Sequence, residues 1–148
     1  MNIQPDFEEL LRLVEEHGIE YMIVGGYAVA YHGYPRFTKD IDLFFRLSGD
    51  NALRLRQALV KFGFREDDLP LEAFTTVGNV LTFGIAPTRV DLINEIDGVT
   101  FDEARPNAVR GKYGNVDVTF IGLADLVKNK KATPRIKDKG DVEELEQQ

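Results

Sequence analysis

Apolar residues at Phe7, Leu10, Leu11 and Val14 recur at spacings of three and four, which predicts an amphipathic helix at the start of the chain. Pro5 suits its first turn. His17-Gly18 supplies the stop, because glycine accepts the left-handed conformation just past a helix end. IEYMIV (19–24) then reads as a short strand, broken by Gly25-Gly26. YAVAYHG reads as a short helix ended by Gly33 and Pro35, and TKDIDLFFRL (38–47) as the next strand. Ser48-Gly49-Asp50 leads into NALRLRQALVKFG, a helix with an apolar stripe at Leu53, Ala58, Leu59 and Phe62.

The acidic stretch REDDLPLEAF (65–74) has no clear period and reads as a connection. NVLTFGI (79–85), a turn at Ala86-Pro87-Thr88 and RVDLINEI (89–96) predict a hairpin. Residues 99–120 hold weaker strand candidates, the best of them NVDVTF (115–120). GLADLVKNKKA (122–132) is helical, Pro134 interrupts it, and DKGDVEELEQQ predicts a final acidic helix. The alternation of helices and strands predicts an α+β fold, with a mixed β-sheet of four to six strands covered by helices. The length of 148 residues suits a single domain spanning 1–148, and no repeat or low-complexity linker interrupts it.

Composition narrows the function. A hydrophobic fraction of 43% and a charged fraction of 29% belong to a folding chain. With no cysteine there is neither a disulfide framework nor a thiolate metal site. The first residues are acidic and amphipathic, unlike a signal peptide, and no apolar run approaches membrane-spanning length, so a cytoplasmic protein without membrane association is expected. A net charge of -7 repels polyanions and disfavours autonomous binding of nucleic acid. Lys and Arg concentrate between Lys128 and Lys139, which leaves room for a local anion site.

The segment RFTKDIDLFF (36–45) sets two aspartates inside an otherwise apolar run. In a strand, residues two apart share a face and lie roughly 6.5–7 Å apart, so Asp40 and Asp42 stand together while Ile41 and Leu43 point the other way. Two carboxylates so placed repel each other. Either both sit at a solvated strand end, or a divalent cation lies between them, and oxygen-only ligands suit Mg²⁺ or Mn²⁺ with substrate phosphates. Asp91, flanked by Val90 and Leu92 in a second strand, poses the same choice. Asp97 in a turn and Asp117 in an alternating strand are weaker candidates. An EF-hand is excluded, since the positions that need glycine and glutamate are Phe45 and Asn51. Gly25-Gly26 is either a tight turn or a place where phosphate can approach the backbone, and neither G-x-G-x-x-G nor the Walker pattern is present.

Taken together, Gly25-Gly26, thirteen intervening residues, Asp40-Ile41-Asp42 and the later Asp91 resemble the nucleotidyltransferase superfamily that includes DNA polymerase β and the aminoglycoside nucleotidyltransferases. VGGYAVAYHGYPRFTKDIDLFF and the tail K-x4-R-x-K-D-x2-D are similar to the small, often toxin-antitoxin-associated nucleotidyltransferases of the AbiEii type and their small domain-of-unknown-function relatives. The resemblance spans about residues 19 to 145. It implies metal-dependent transfer of a nucleoside monophosphate from a nucleoside triphosphate. On that mapping Asp40 and Asp42 hold Mg²⁺ or Mn²⁺, and Asp91 completes the metal site and activates the acceptor hydroxyl. Gly25 and Gly26 cradle phosphate, Thr38 contacts it, and Lys130, Arg135 and Lys137 neutralise the leaving pyrophosphate. Asp138 and Asp141 orient those cations.

Plainer explanations exist for several of these residues. Lys130 could belong to a solvated helix face, Arg135 and Lys137 could pair with the acidic last helix, His32 could simply pack at a helix end, and Tyr27 and Tyr31 could be core or pocket wall. The acceptor is open among an RNA 3′ end, a protein hydroxyl and a small molecule, with RNA disfavoured unless a partner supplies basic surface. Larger relatives carry an added helical domain that could hold the acceptor, and an antitoxin or helical partner protein is an expectation that rests on the resemblance alone. The alternative to an enzyme is a nucleotide-binding or protein-interaction module of the same fold that performs no transfer.

Overall fold

The computed structural model describes residues 3–34, 40–85, 88–133 and 136–146. Helix α1 (Pro5–Glu16) buries the predicted stripe of Phe7, Leu10, Leu11 and Val14, and Leu13 beside it, and the chain leaves it through Gly18 at φ +65°. Strand β1 (Tyr21–Val24) is buried at every position and runs directly into α2 (Gly25–Tyr31), so the two glycines form the first turn of that helix rather than a loop before it. Strand β2 (Asp40–Phe45) follows, with Ile41, Leu43, Phe44 and Phe45 buried and both aspartates partly covered. Ser48 caps α3 (Gly49–Phe62) by accepting from the Asn51 amide.

The buried face of α3 runs through Ala52, Leu55, Ala58 and Leu59, whereas Leu53 is 42% exposed. At about 100° per residue Leu53 lies roughly 120° around the helix from Leu59, so it leaves the stripe expected from its hydrophobicity. Asn51 is buried instead. Its amide donates to the Glu20 and Arg46 carbonyls and its oxygen accepts from the Glu20 N–H, tying α3 to the strand ends.

The acidic connection contains a 3₁₀ turn (Glu66–Asp68) and the one-turn helix α4 (Glu72–Thr75), whose Phe74 is buried beside Phe45. Strands β3 (Val80–Ile85) and β4 (Thr88–Ile93) form the predicted antiparallel hairpin. A short helix α5 (Phe101–Ala104), opened by a Thr100–Glu103 capping box, precedes β5 (Val109–Tyr113) and β6 (Val116–Phe120). Helices α6 (Leu123–Ala132) and α7 (Ile136–Glu146) close the chain.

All six strands join one sheet in the order β3-β4-β2-β1-β6-β5. The β2–β4 and β1–β6 pairs are parallel and the others antiparallel, which makes this a mixed sheet covered by helices in an α+β fold. The parallel β2–β4 pairing brings the acidic residues of the two strands together. It sets Asp42 opposite Asp91 and Asp40 opposite Arg89. Among the described residues no helix is long and apolar enough to cross a membrane.

Candidate active site

Four strands contribute one lateral row, Val24, Asp42, Asp91 and Thr82, each residue in register with the next. Neighbouring strands lie about 4.8 Å apart, so side chains in such a row that share a face must touch. Asp42 and Asp91 do, through a carboxyl–carboxyl hydrogen bond. Two ionised carboxylates could not share one. Burial, then the Asp91 charge and this hydrogen bond, then Asp40, push the Asp42 carboxyl up to about 7, while the Lys130 ammonium pulls it the other way.

Gly25 stands directly over this pair. Its φ is +66°, and a β-carbon there would overlap the Asp42 Oδ2 atom, so the position needs glycine both for its backbone and for the room it leaves. Gly26 is buried in the same turn. On the other side of Asp91, the Thr82 hydroxyl donates to Oδ1 at 2.8 Å. Arg89, two residues before Asp91 in β4, donates from Nη2 to Asp40 Oδ2 at 2.9 Å and lies 3.5 Å from Asp91 Oδ2.

Thus Asp42 and Asp91 meet at the glycine turn, while Asp40 is engaged by Arg89. Among the described residues no group of three or more His, Asp or Glu side chains stands ready to hold a metal ion. The Asp42–Asp91 pair nevertheless fits one chemically. It offers only oxygen donors, which Mg²⁺ and Mn²⁺ favour, and its shared proton marks the repulsion that a divalent cation relieves.

Lys130 does not lie on a solvated helix face. Its neighbours Lys128 and Lys131 are exposed and pair with Glu103 and Glu146, but Lys130 is 5% exposed and its Nζ lies 3.5 Å from Asp141 Oδ2. Asp141 is itself buried, so α7 holds the α6 ammonium on the side of the aspartates, where its charge is felt at Asp42. Thr38 and Arg135 lie outside the described residues. Lys137 and Asp138 fall within α7, with their side chains likewise outside them.

The remaining candidates make other contacts. The Asp117 carboxylate accepts from Lys112 at 2.7 Å in the β5–β6 hairpin, and the Asp97 carbonyl accepts from the Asn129 amide. His32 Nε2 is 2.7 Å from the Ile121 carbonyl at the end of α2. Tyr27 is core, packed edge-on against Phe7 and Tyr113, and Tyr31 stacks on Phe120. A cleft of about 560 Å³ opens farther along β2 and β4, bordered by Arg46, Asn94 and Glu95. None of the three aspartates lines it.

Arg89 and Thr82 do not stand out in the sequence, yet both carry a signal there. Arg89 shares its face with Asp91 by alternation. Once Ile85 pairs with Thr88 in the hairpin, counting back puts Thr82 opposite Asp91.

Three solved structures share the fold at low sequence identity. The solution structure of the antibiotic-resistance factor ANT(2'')-Ia matches with a TM-score of 0.60 at 16% identity, over 95% of this chain and 80% of that one. A nucleotidyltransferase-like protein from Thermotoga maritima, TM1012, matches at 0.58 and 15% identity, over 99% and 92%. The lincosamide antibiotic adenylyltransferase LnuA, solved with lincomycin bound, matches at 0.56 and 15% identity, over 99% and 98%. No curated protein matches the sequence. The family assignment comes from residues 4–148, which contain the glycine turn, all three aspartates and the Lys130–Asp141 pair, and which place the chain in the nucleotidyl transferase family of unknown function DUF2204.

Proposed function

We propose that this protein is a metal-dependent nucleotidyltransferase that moves a nucleoside monophosphate from a nucleoside triphosphate to an acceptor hydroxyl. The observation that carries this reading is the hydrogen-bonded Asp42–Asp91 pair set directly against the Gly25 backbone. In the reaction the acceptor oxygen bonds to the α-phosphorus as the bond from that phosphorus to pyrophosphate breaks, and pyrophosphate leaves with the electron pair. Asp91 takes the acceptor proton.

Asp40, Asp42 and Asp91 are the residues that would hold Mg²⁺ or Mn²⁺, which when bound neutralises the charge of the triphosphate. Gly25 and Gly26 let phosphate oxygens approach the backbone, and Thr38 contacts them. Lys130, kept in place by Asp141, together with Arg135 and Lys137, offsets the negative charge that gathers on pyrophosphate.

For the acceptor, a small molecule gains support from the fold shared with a lincosamide antibiotic adenylyltransferase and an antibiotic-resistance factor. A protein hydroxyl stays in view through the AbiEii-type resemblance, which also motivates an antitoxin or helical partner. An RNA 3′ end needs a basic partner to offset the net charge of -7. A cytoplasmic site of action is where nucleoside triphosphates are available.

The test is thermal stabilisation by ATP, GTP, CTP and UTP with and without Mg²⁺, followed by pyrophosphate release and label transfer from each triphosphate into cell extract. Metal-dependent binding with label transfer is expected. Binding with no pyrophosphate released under any condition would instead make the protein a nucleotide-binding module.

A further inference from the structure

We infer that Arg89 is a built-in counter-ion that guards the carboxylates, keeping out a divalent cation that arrives alone and yielding to one that arrives with a triphosphate. This deepens the nucleotidyltransferase reading and rests on it.

Register sets the arrangement. Because β2 and β4 run parallel with Asp40 opposite Arg89 and Asp42 opposite Asp91, the arginine and the three aspartates occupy two adjacent rows of one face. A single nitrogen, Nη2, then serves two carboxylates, at 2.9 Å from Asp40 and 3.5 Å from Asp91. The second oxygen of Asp91 is taken by Thr82, and Asp42 is hydrogen-bonded to Asp91. With Arg89 in this position Asp40 faces a cation already in place. Among the described residues no three carboxylates stand disposed to take a metal.

Arg89 can leave. Its side chain is 46% exposed, and an ion pair this open to solvent is weak enough to exchange. A free divalent ion must displace the guanidinium and leave it beside a new positive charge. A triphosphate changes that balance, because phosphate oxygens accept the planar guanidinium fork at least as well as a carboxylate does. Arg89 then passes from Asp40 to phosphate as Asp40 passes from Arg89 to the metal. Cation and triphosphate should therefore bind with strong mutual dependence, and Arg89 is the positioning residue that couples them.

The experiment measures Mn²⁺ binding to wild type, Arg89→Met and Arg89→Lys from the loss of the free-ion paramagnetic signal, first alone and then with a non-hydrolysable triphosphate analogue. Arg89→Met should bind Mn²⁺ alone about tenfold more tightly, as expected when a unit charge is removed within a few ångströms of a doubly charged ion near solvent. It should bind Mn²⁺ with the analogue about tenfold more weakly, so the mutual dependence collapses. Arg89→Lys, which keeps the charge without the fork, should fall between and provides the readout if the methionine variant does not fold. Wild type that binds Mn²⁺ with the analogue, alongside variants that bind Mn²⁺ alone no better, would overturn the guard and leave the enzyme reading standing. Wild type that binds neither Mn²⁺ nor its complex with the analogue would overturn both.

Discussion

Replacing Asp42 with Asn should make the metal-free protein more stable above neutral pH while abolishing label transfer. Folded Asp42 holds its proton up to about pH 7, against an ordinary value of 3.8, chiefly because it is buried beside Asp91. The folded-state value is the higher of the two, so this group's contribution to stability is complete below about pH 4 and drains away as pH rises towards 7. At about 1.4 kcal/mol for each tenfold change in proton affinity, the loss reaches at most about 4 kcal/mol. Asn cannot ionise, and its amide can donate to Asp91 as the protonated acid does. The variant should therefore match wild type near pH 4 and exceed it by roughly 1–4 kcal/mol near pH 8.

For a chain of this length each kcal/mol moves the melting temperature by about 2–4 °C, so a shift of several degrees should be visible by circular dichroism. Adding Mg²⁺ with triphosphate should close the gap by stabilising wild type alone. At limiting triphosphate, where the metal-free protein sets the ionisation, kcat/KM for transfer should rise with pH through about 7 as the carboxyl ionises. A variant that melts earlier than wild type near pH 8, or a difference that does not change with pH, would refute the claim that Asp42 is destabilising in the absence of metal.

Three further substitutions test the surrounding contacts. Gly25→Ala must place a β-carbon at φ +66° and onto Asp42 Oδ2, so urea unfolding should show a loss of roughly 1–3 kcal/mol together with loss of nucleotide-induced stabilisation. Thr82→Val removes the hydroxyl that fixes Asp91 Oδ1; transfer should slow about tenfold, with stability lowered by only about 1 kcal/mol in the same denaturation assay. Asp141→Asn removes the charge set against the buried Lys130 ammonium and should cost roughly 3 kcal/mol, much of it recovered when Lys130→Met is added.

The helices and central strands were readable because their apolar spacing is long and consistent, as in α1 and β2. Strand β5 was legible only as one of the weaker candidates between residues 99 and 120, since VRGKY carries two charges and a glycine and fully buries only Tyr113, and it is held by pairing with β6. Helix α5 escaped for another reason. Its four residues are too few to show a period, although the Thr100–Glu103 capping box is visible in the letters. Asn51 reads as a surface residue until the Glu20 and Arg46 backbones arrive to satisfy it. The aspartates were legible by alternation, whereas their pairing depended on a parallel register that joins residues 49 positions apart.

That register explains why the two aspartates of β2 are not equivalent. Asp40, in line with Arg89, meets a cation that its own sheet provides, whereas Asp42, in line with Asp91, meets another acid. Two ionised carboxylates opposite one another on adjacent strands would destabilise the sheet, and the proton held by Asp42 up to about pH 7 relieves that repulsion. The rest of the strain is contained by groups from separate elements: the Thr82 hydroxyl from β3, the Arg89 guanidinium from β4, and the Lys130 ammonium from α6 backed by Asp141 from α7. None of these contacts removes the second acid. They keep an unfavourable pair folded, which is what the proposed site for metal and triphosphate would require and a structural ion pair would not.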